Sequence, residues 1–357
     1  MKRLCVAGGG TGGHVTPLLA LAEEWTARGG TVFYVGAAGG IEEVMVPAAG
    51  FDLEVISGGG RVKGMGPLTR LRSLSTLPVG VREASTVLKR FRPDVVVGAG
   101  GYASFAAGAA ASLAGIPLVL CEQNSIPGLT NRVLSRVARK VCTSFMMTAS
   151  HLNVLKAVFT GNPVRTAIRV LADRATELND LSSITVLGGS QGARFLNTDL
   201  ARSLAMFLKD HPNIRVTHQC GAGREDETLA SYAGSPRVEV IPFIEDMAPL
   251  LAGSDLVVCR AGATTIAELT AIGLGAILVP FPFATDNHQE HNARAMERAG
   301  GADVIIQAEF DSDQFIERLT ALHSDPGELG RLAAGSRGMG RPDAAAAVLD
   351  VCGEVVR

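Results

Sequence analysis

The sequence predicts two α/β domains, each a doubly wound parallel sheet covered by helices on both faces. Three observations support this. Each half opens with a glycine-rich turn set between an apolar run and a helical stretch. The first is Gly8-Gly9-Gly10-Thr11-Gly12-Gly13 after Leu4-Cys5-Val6-Ala7, and the second is Gly188-Gly189-Ser190-Gln191-Gly192 after Ile184-Thr185-Val186-Leu187. Short β-rich runs alternate with helical stretches along the whole chain. Finally, 357 residues that are 47% hydrophobic and 19% charged can fill two cores and exclude a disordered chain.

In order, strands are expected at 4–7, 32–35, 53–56, 95–97, 118–120 and 140–142, and after residue 183 at 184–187, 214–218, 238–241, 256–259, 277–279 and 304–306. A boundary falls near Gly161-Asn162-Pro163-Val164-Arg165, where proline disfavours helix and the Gly-Asn pair allows a turn. The expected domains are therefore 1–163 and 164–341. The Ala-rich segment 342–357 reads as a final helix, and pattern alone does not assign it to either domain. Val95 to Cys121 carries no charge, but Gly98, Gly100, Gly101, Gly108, Gly115 and Pro117 break it into strand, loop, small-residue helix and strand, not a membrane span. The first residues enter a strand at once, which leaves no signal-peptide core. Six scattered cysteines without a Cys-x-x-Cys pair fit buried free thiols in a reducing compartment, and a net charge of −2 gives no field favouring nucleic acid.

The first glycine loop contains Gly-x-Gly-x-x-Gly (Gly8, Gly10, Gly13), but the second strand ends Tyr34-Val35-Gly36-Ala37-Ala38 without the acidic residue that a dinucleotide ribose needs. The density of glycine exceeds what a tight turn requires, so a phosphate against backbone N–H groups is expected. His14 follows in the first turn of the next helix. The positive end of a helix disfavours the imidazolium, and a neutral imidazole can act as a general base. Gly98-Ala99-Gly100-Gly101-Tyr102 repeats the strand–turn–helix pattern; a diphosphate pocket and close helix–sheet packing are equally open there. Between Arg61 and Arg92 eight basic residues stand against Glu83 alone, interleaved with Leu68, Leu71, Leu74, Leu77, Val79 and Val81. That composition suits an anionic membrane surface, with a solvated amphipathic helix as the alternative.

In the second half the strand 256–259 and Arg260 run into Ala261-Gly262-Ala263-Thr264-Thr265-Ile266-Ala267-Glu268. The N–H groups of such a helix start and the Thr265 hydroxyl suit a phosphate, and Glu268 one turn further in suits the hydroxyls of a ribose. His288 and His291 with Asp286 and Glu290 lack the His-Glu-x-x-His spacing and a third ligand, so sugar hydroxyls are a better fit there than a metal. Asp311-Ser312-Asp313 reads as a helix N-cap. No cofactor and no metal are expected.

Taken together, Gly9 to His14, Glu122-Gln123-Asn124, Gly161 to Arg165, Gly188 to Ala193, Phe243-Ile244-x-x-Met247, Cys259-Arg260-x-Gly262-Ala263 and Asp286-x-x-Gln289-x-x-Asn292 resemble the MurG family, glycosyltransferase family 28, over essentially the whole chain. The resemblance implies the GT-B fold, two Rossmann-like domains facing a cleft, with the helix 342–357 returning to the first domain. It implies an inverting transfer of GlcNAc from UDP-GlcNAc to the C4 hydroxyl of MurNAc in undecaprenyl-diphosphate-MurNAc-pentapeptide (lipid I). The product would be lipid II, made peripherally on the cytoplasmic face of the bacterial inner membrane for peptidoglycan synthesis. The first domain would face the acceptor and the membrane, and the second would bind the donor.

The same resemblance implies that His14 is the base. It assigns UDP-GlcNAc contacts to Thr11, Gly12, Gly13, Asn124, Arg165, Ser190, Ile244, Ala263, Thr264, Thr265, Ile266, Ala267, Glu268 and Gln289. Ile244 would offer its backbone to uracil, Glu268 would take the ribose, and Gln289 with Asn292 would meet the sugar. Gly10, Gly100, Gly101, Tyr102, Glu122, Arg260 and Asn292 are candidates for the diphosphate or the acceptor. Thr264, Cys121 and His288 stand where leucine, histidine and glutamine are common in the family. An epimerase acting on the same nucleotide sugar, a nicotinamide-dependent dehydrogenase and a non-catalytic binding subunit are the competing classes.

Overall fold

A computed structural model describes residues 2–57, 76–172, 180–189 and 191–356. The chain divides into two compact units, Met1–Thr166 with Arg341–Arg357, and Ala167–Gly340. Among the described residues the first unit holds a seven-stranded sheet of order β3-β2-β1-β4-β5-β6-β7. Its strands are β1 (Arg3–Ala7), β2 (Thr31–Ala37), β3 (Leu53–Ile56), β4 (Val95–Gly98), β5 (Leu118–Glu122), β6 (Lys140–Thr143) and β7 (Ala157–Phe159). The second unit holds a six-stranded sheet of order β10-β9-β8-β11-β12-β13. Here the strands are β8 (Ser183–Leu187), β9 (Arg215–Gln219), β10 (Val238–Ile241), β11 (Leu256–Cys259), β12 (Ala276–Leu278) and β13 (Ala302–Val304). Every neighbouring pair is parallel.

The continuous apolar runs form strands buried on both faces, and the period-two alternation sorts their side chains into two cores. Leu4, Val6, Val95, Val97 and Val119 pack on one face of the first sheet, and Cys5, Ala7, Val96, Leu118 and Leu120 on the other. The final helix, Ala344–Val356, joins the first of these cores through Val348, Leu349 and Cys352, beside Leu18, Leu21 and Trp25 of helix Gly12–Ala27. Burial of Val348 and Leu349 contributes about 1.5–3 kcal/mol each. The second core is built on Ile184, Val186, Val216, Leu256 and Val258, with Phe207, Phe315 and Leu319 from the covering helices.

The alternating α/β pattern is present as expected, with two differences in detail. β7 has no counterpart among the expected strands, because three half-buried or exposed residues show no alternation. β13 begins two residues earlier than the apolar run 304–306 suggests. Its central Asp303 breaks the apolar signal and is paired with Arg318 at 2.7 Å. The uncharged stretch from Val95 to Cys121 spans β4, helix Gly101–Leu113 and most of β5. Among the described residues no helix is long and apolar enough to cross a membrane. All six cysteines are free and buried.

Candidate active site

In each sheet the strand order reverses once, between β1 and β4 and between β8 and β11, and the ligand crevice of such sheets lies at the carboxyl ends of those strands. In the first unit the loops that leave β1 and β4 meet at this point. Gly101 has φ +82°, and a Cβ there would lie 2.8 Å from the Gly9 carbonyl oxygen, so only glycine allows the two backbones to touch.

His14, partly exposed, stands in the first turn of helix Gly12–Ala27. Its Nδ1 lies 3.0 Å from the Gly9 carbonyl oxygen and 3.4 Å from the Thr11 hydroxyl. A carbonyl only accepts, so Nδ1 carries the hydrogen, and in the neutral ring Nε2 keeps its lone pair. A Cβ on Gly100 would stand 3.0 Å from that Nε2, and glycine leaves the space open. Another histidine, His218, shows the structural use of this residue. It is wholly buried, 2.9 Å from the Tyr232 hydroxyl and 3.1 Å from Asn197 Oδ1, and burial pushes its pKa down to about 3.

Several expected ligand groups of the first unit turn inward. The Gly10 N–H, expected to face a phosphate, donates to Glu42 Oε2 at 2.9 Å, and a wholly buried carboxylate behind the loop repels an anion. Glu122 is 2% exposed and accepts from the N–H groups of Asn124 and Gly128, both at 3.0 Å, and from Asn131 Nδ2 at 2.9 Å. It shapes the loop that presents Asn124 and is not placed to meet a ligand. The Tyr102 hydroxyl is shared between the carbonyl oxygens of Thr76 at 2.9 Å and Ser57 at 3.2 Å, so its hydrogen is used within the fold. Thr11 is exposed; Gly12, Gly13, Asn124 and Arg165 are partly exposed.

In the second unit the turn after β8 is held against β9. The Gly188 N–H donates to the Gln219 carbonyl at 3.0 Å, and Gln219 Nε2 donates to the Gly189 carbonyl at 2.9 Å. Ser190 lies outside the described residues. Next to this turn, β11 leads through Gly262 into helix Ala263–Ile272, whose first turn contains Ala263, Thr264 and Thr265. Thr264, Thr265 and Ala267 are partly exposed, Glu268 is 4% exposed, and Ile266 sends its side chain into the core. Any ligand contact of Ile266 is therefore through its backbone. Ile244 lies in the loop after β10, between exposed Phe243 and Asp246, which caps helix Met247–Ala252 by accepting from the Ala248 N–H at 3.1 Å.

Gln289 Oε1 accepts from the Phe281 N–H at 3.0 Å, which orients the amide and leaves its Nε2 hydrogens for a ligand. Just before it, Asp286 and Asn287 both adopt positive φ (52° and 51°), a strained pair of the kind that clusters at binding loops. Two other expectations are corrected. Arg260 spends Nη1 on the carbonyl oxygens of Val279 and Pro280, both at 3.1 Å, and Nη2 on Gln307 Oε1 at 2.8 Å. Burial lowers its pKa to about 10. It braces the ends of β11 and β12 and does not reach for a diphosphate. Asn292 is wholly buried and donates to the Ala261 carbonyl at 3.3 Å, so it ties the turn after β11 to helix His288–Arg298 and meets no sugar. Asp311 caps its helix as expected, accepting from the N–H groups of Asp313 and Gln314. Among the described residues no group of three or more His, Cys, Asp or Glu is placed to hold a metal ion.

Of the basic stretch from Arg61 to Arg92, residues 61–75 lie outside the described residues. Its remainder is mostly helix Leu77–Phe91, with Arg82, Lys89 and Arg90 and an exposed Val79. A second surface of this kind was not anticipated from the sequence. Leu129, Val133 and Val137 are exposed together with Arg132, Arg136 and Arg139, beside the exposed Leu113 at the end of the neighbouring helix. The i, i+4 spacing of these apolar residues is visible in the sequence, but their exposure is not.

Comparison with known proteins agrees with this architecture. Residues 4–143 match the glycosyltransferase family 28 N-terminal domain and residues 183–348 the family 28 C-terminal domain. A UDP-N-acetylglucosamine--N-acetylmuramyl-(pentapeptide) pyrophosphoryl-undecaprenol N-acetylglucosamine transferase of Anaeromyxobacter sp. (strain Fw109-5) is 42% identical over 99% of this chain and 94% of its own length. The protein of the same name from Desulforudis audaxviator is 39% identical over 98% of this chain and 97% of its own. The crystal structure of Acinetobacter baumannii MurG superposes with a TM-score of 0.79 at 30% identity, covering 99% of this chain and 100% of that one. A UDP-GlcNAc 2-epimerase from Neisseria meningitidis, at 16% identity and a TM-score of 0.71, shares the fold alone. Two matched domains and close relatives over nearly the full length make this chain a member of glycosyltransferase family 28, of the MurG type.

Proposed function

We propose that the chain transfers GlcNAc from UDP-GlcNAc to the C4 hydroxyl of MurNAc in lipid I, with inversion at the sugar C1, to give lipid II. The observation that carries the mechanism is His14, whose Nδ1 is tied to the Gly9 carbonyl while Nε2 keeps a lone pair beside Gly100. That Nε2 takes the proton of the attacking hydroxyl as its oxygen bonds to C1. The bond from C1 to the β-phosphate oxygen breaks, and UDP departs with the electron pair. On the second unit, the first turn of helix Ala263–Ile272 and the Thr265 hydroxyl hold the diphosphate, whose growing charge suits a helix N-terminus. Glu268 takes the ribose, the Ile244 backbone reads uracil, and the oriented Gln289 amide meets the GlcNAc.

Incubation with labelled UDP-GlcNAc tests the assignment. Label is expected in a lipid product only when an undecaprenyl-diphosphate-muramyl acceptor is present. Conversion of UDP-GlcNAc without acceptor would mean an epimerase instead. Because helix amides would face the diphosphate and the described residues hold no acidic metal-ligand set, the rate is expected to be unchanged by chelator; a rate restored only by a divalent ion would refute that part.

The enzyme works peripherally on the cytoplasmic face of the bacterial membrane. Supporting this are the basic helix Leu77–Phe91 and the exposed Leu113, Leu129, Val133 and Val137 among Arg132, Arg136 and Arg139. Each basic residue near an anionic surface contributes about 1 kcal/mol, screened by salt. The chain should therefore sediment with phosphatidylglycerol vesicles at low salt, less at high salt, and not with neutral vesicles. Equal binding to neutral vesicles would point to apolar insertion in place of charge.

A further inference from the structure

Glu42 opens helix Glu42–Ala48, shortly after β2, and is wholly buried. Its side chain fills a hollow that only glycines provide. A Cβ on Gly9 or Gly40 would overlap the carboxylate, and one on Gly36 would stand 2.6 Å from Cγ. Oε1 accepts from the Ala37 N–H at 3.0 Å, which fixes the carboxylate to the end of β2, and Oε2 accepts from the Gly10 N–H at 2.9 Å. The Gly10 N–H and the Gly9 carbonyl belong to one peptide group, and that carbonyl is 3.0 Å from His14 Nδ1. Carboxylate, peptide and imidazole are thus connected in sequence.

We infer that Glu42 is a positioning residue for the transfer reaction, acting on His14 through the Gly9–Gly10 peptide. This rests on His14 being the base. A peptide hydrogen-bonded at its N–H to a carboxylate is polarised, and its carbonyl becomes a stronger acceptor for Nδ1–H. The chain of bonds holds the tautomer with Nε2 unprotonated and stabilises the imidazolium as Nε2 receives the proton. A carboxylate bonded directly to a catalytic histidine does the same. The burial of the carboxylate requires glycine at position 9 of the loop, where a Cβ would overlap it.

Other ionisable groups stand on the surrounding elements. Tyr34 of β2 is buried, and burial together with Glu42 pushes its phenol well above the ordinary range. Glu43 accepts from the exposed Gly39 N–H at 2.6 Å, and the Tyr102 hydroxyl is bonded to Thr76 and Ser57. Buried Cys5 lies within β1, and Glu23 and Glu24 lie more than two turns further along the His14 helix.

The test is the pH–rate profile of Glu42→Gln in the full chain. Loss of the charge is expected to lower kcat about tenfold. It is also expected to move the acidic limb of the profile to lower pH, with KM for UDP-GlcNAc within about twofold of the parent. In a His14→Ala background the same substitution should cost nothing further. An unmoved profile with parental kcat, or an equal loss in both backgrounds, overturns the inference. If Glu42→Gln does not fold, 15N shifts of the His14 ring in the unsubstituted chain decide. A protonated Nδ1 with bare Nε2 at neutral pH supports the relay, and the opposite tautomer overturns it. Full activity of His14→Ala would instead remove the base assignment itself.

Discussion

Replacing His14 by alanine is expected to lower kcat by about 10²–10⁴ while leaving KM for UDP-GlcNAc nearly unchanged. The side chain lies in the first unit, partly exposed, and both its contacts are to the loop that holds it. The loss therefore falls on proton transfer and not on folding or donor binding. Single-turnover measurements with saturating donor and lipid acceptor separate the two. The pH profile of the residual rate should differ from the parent's. A loss below tenfold with an unchanged profile would reduce His14 to a group that orients the acceptor.

The second large effect is expected at Gly192, and it concerns stability. Gly192 has φ +68°, and a Cβ there would overlap the Cys220 carbonyl, a backbone atom that cannot rotate away. Its N–H donates to the Gly189 carbonyl at 2.8 Å, so the turn after β8 is fixed from both sides. Gly192→Ala combines a left-handed backbone with overpacking, together about 2–5 kcal/mol. Thermal unfolding at about 2–4 °C per kcal/mol should show a drop of roughly 4–20 °C. Gly189, with φ +79° but nothing within 4 Å of its Cβ, is the control. Gly189→Ala carries only the backbone term of about 1–2 kcal/mol. Equal shifts for the two variants would mean that the contact with Cys220 is not the constraint.

The alternation of apolar runs and helices was enough to read both sheets, because strands buried on both faces show as continuous hydrophobic segments. β7 escaped because three poorly buried residues make no pattern, and β13 was displaced because Asp303 interrupts it. Of the site, the glycine turns and His14 were legible from their place between strand and helix. Glu42 was not: a ribose carboxylate belongs at the end of β2, whereas Glu42 stands further on, in helix Glu42–Ala48, turned inward under the neighbouring loop. The arginine after β11 stood at the right place for a phosphate, yet three bonds to neighbouring strand ends and loops hold it elsewhere.

By itself, the order of residues determined the two parallel sheets, the turns that close them and the family to which the chain belongs. The sheets and turns depend on hydrophobic period and on glycine at fixed offsets, which are local properties, and the family rests on the resemblance of motifs spread along the chain. Only the tertiary structure decided which polar groups near those turns face outward. Glu42, Glu122, Tyr102, Arg260 and Asn292 each find partners inside the fold, some on their own segment and others far along the chain. A buried polar group must be satisfied by whatever the fold brings next to it, and the spacing of residues along a strand or helix does not contain that information.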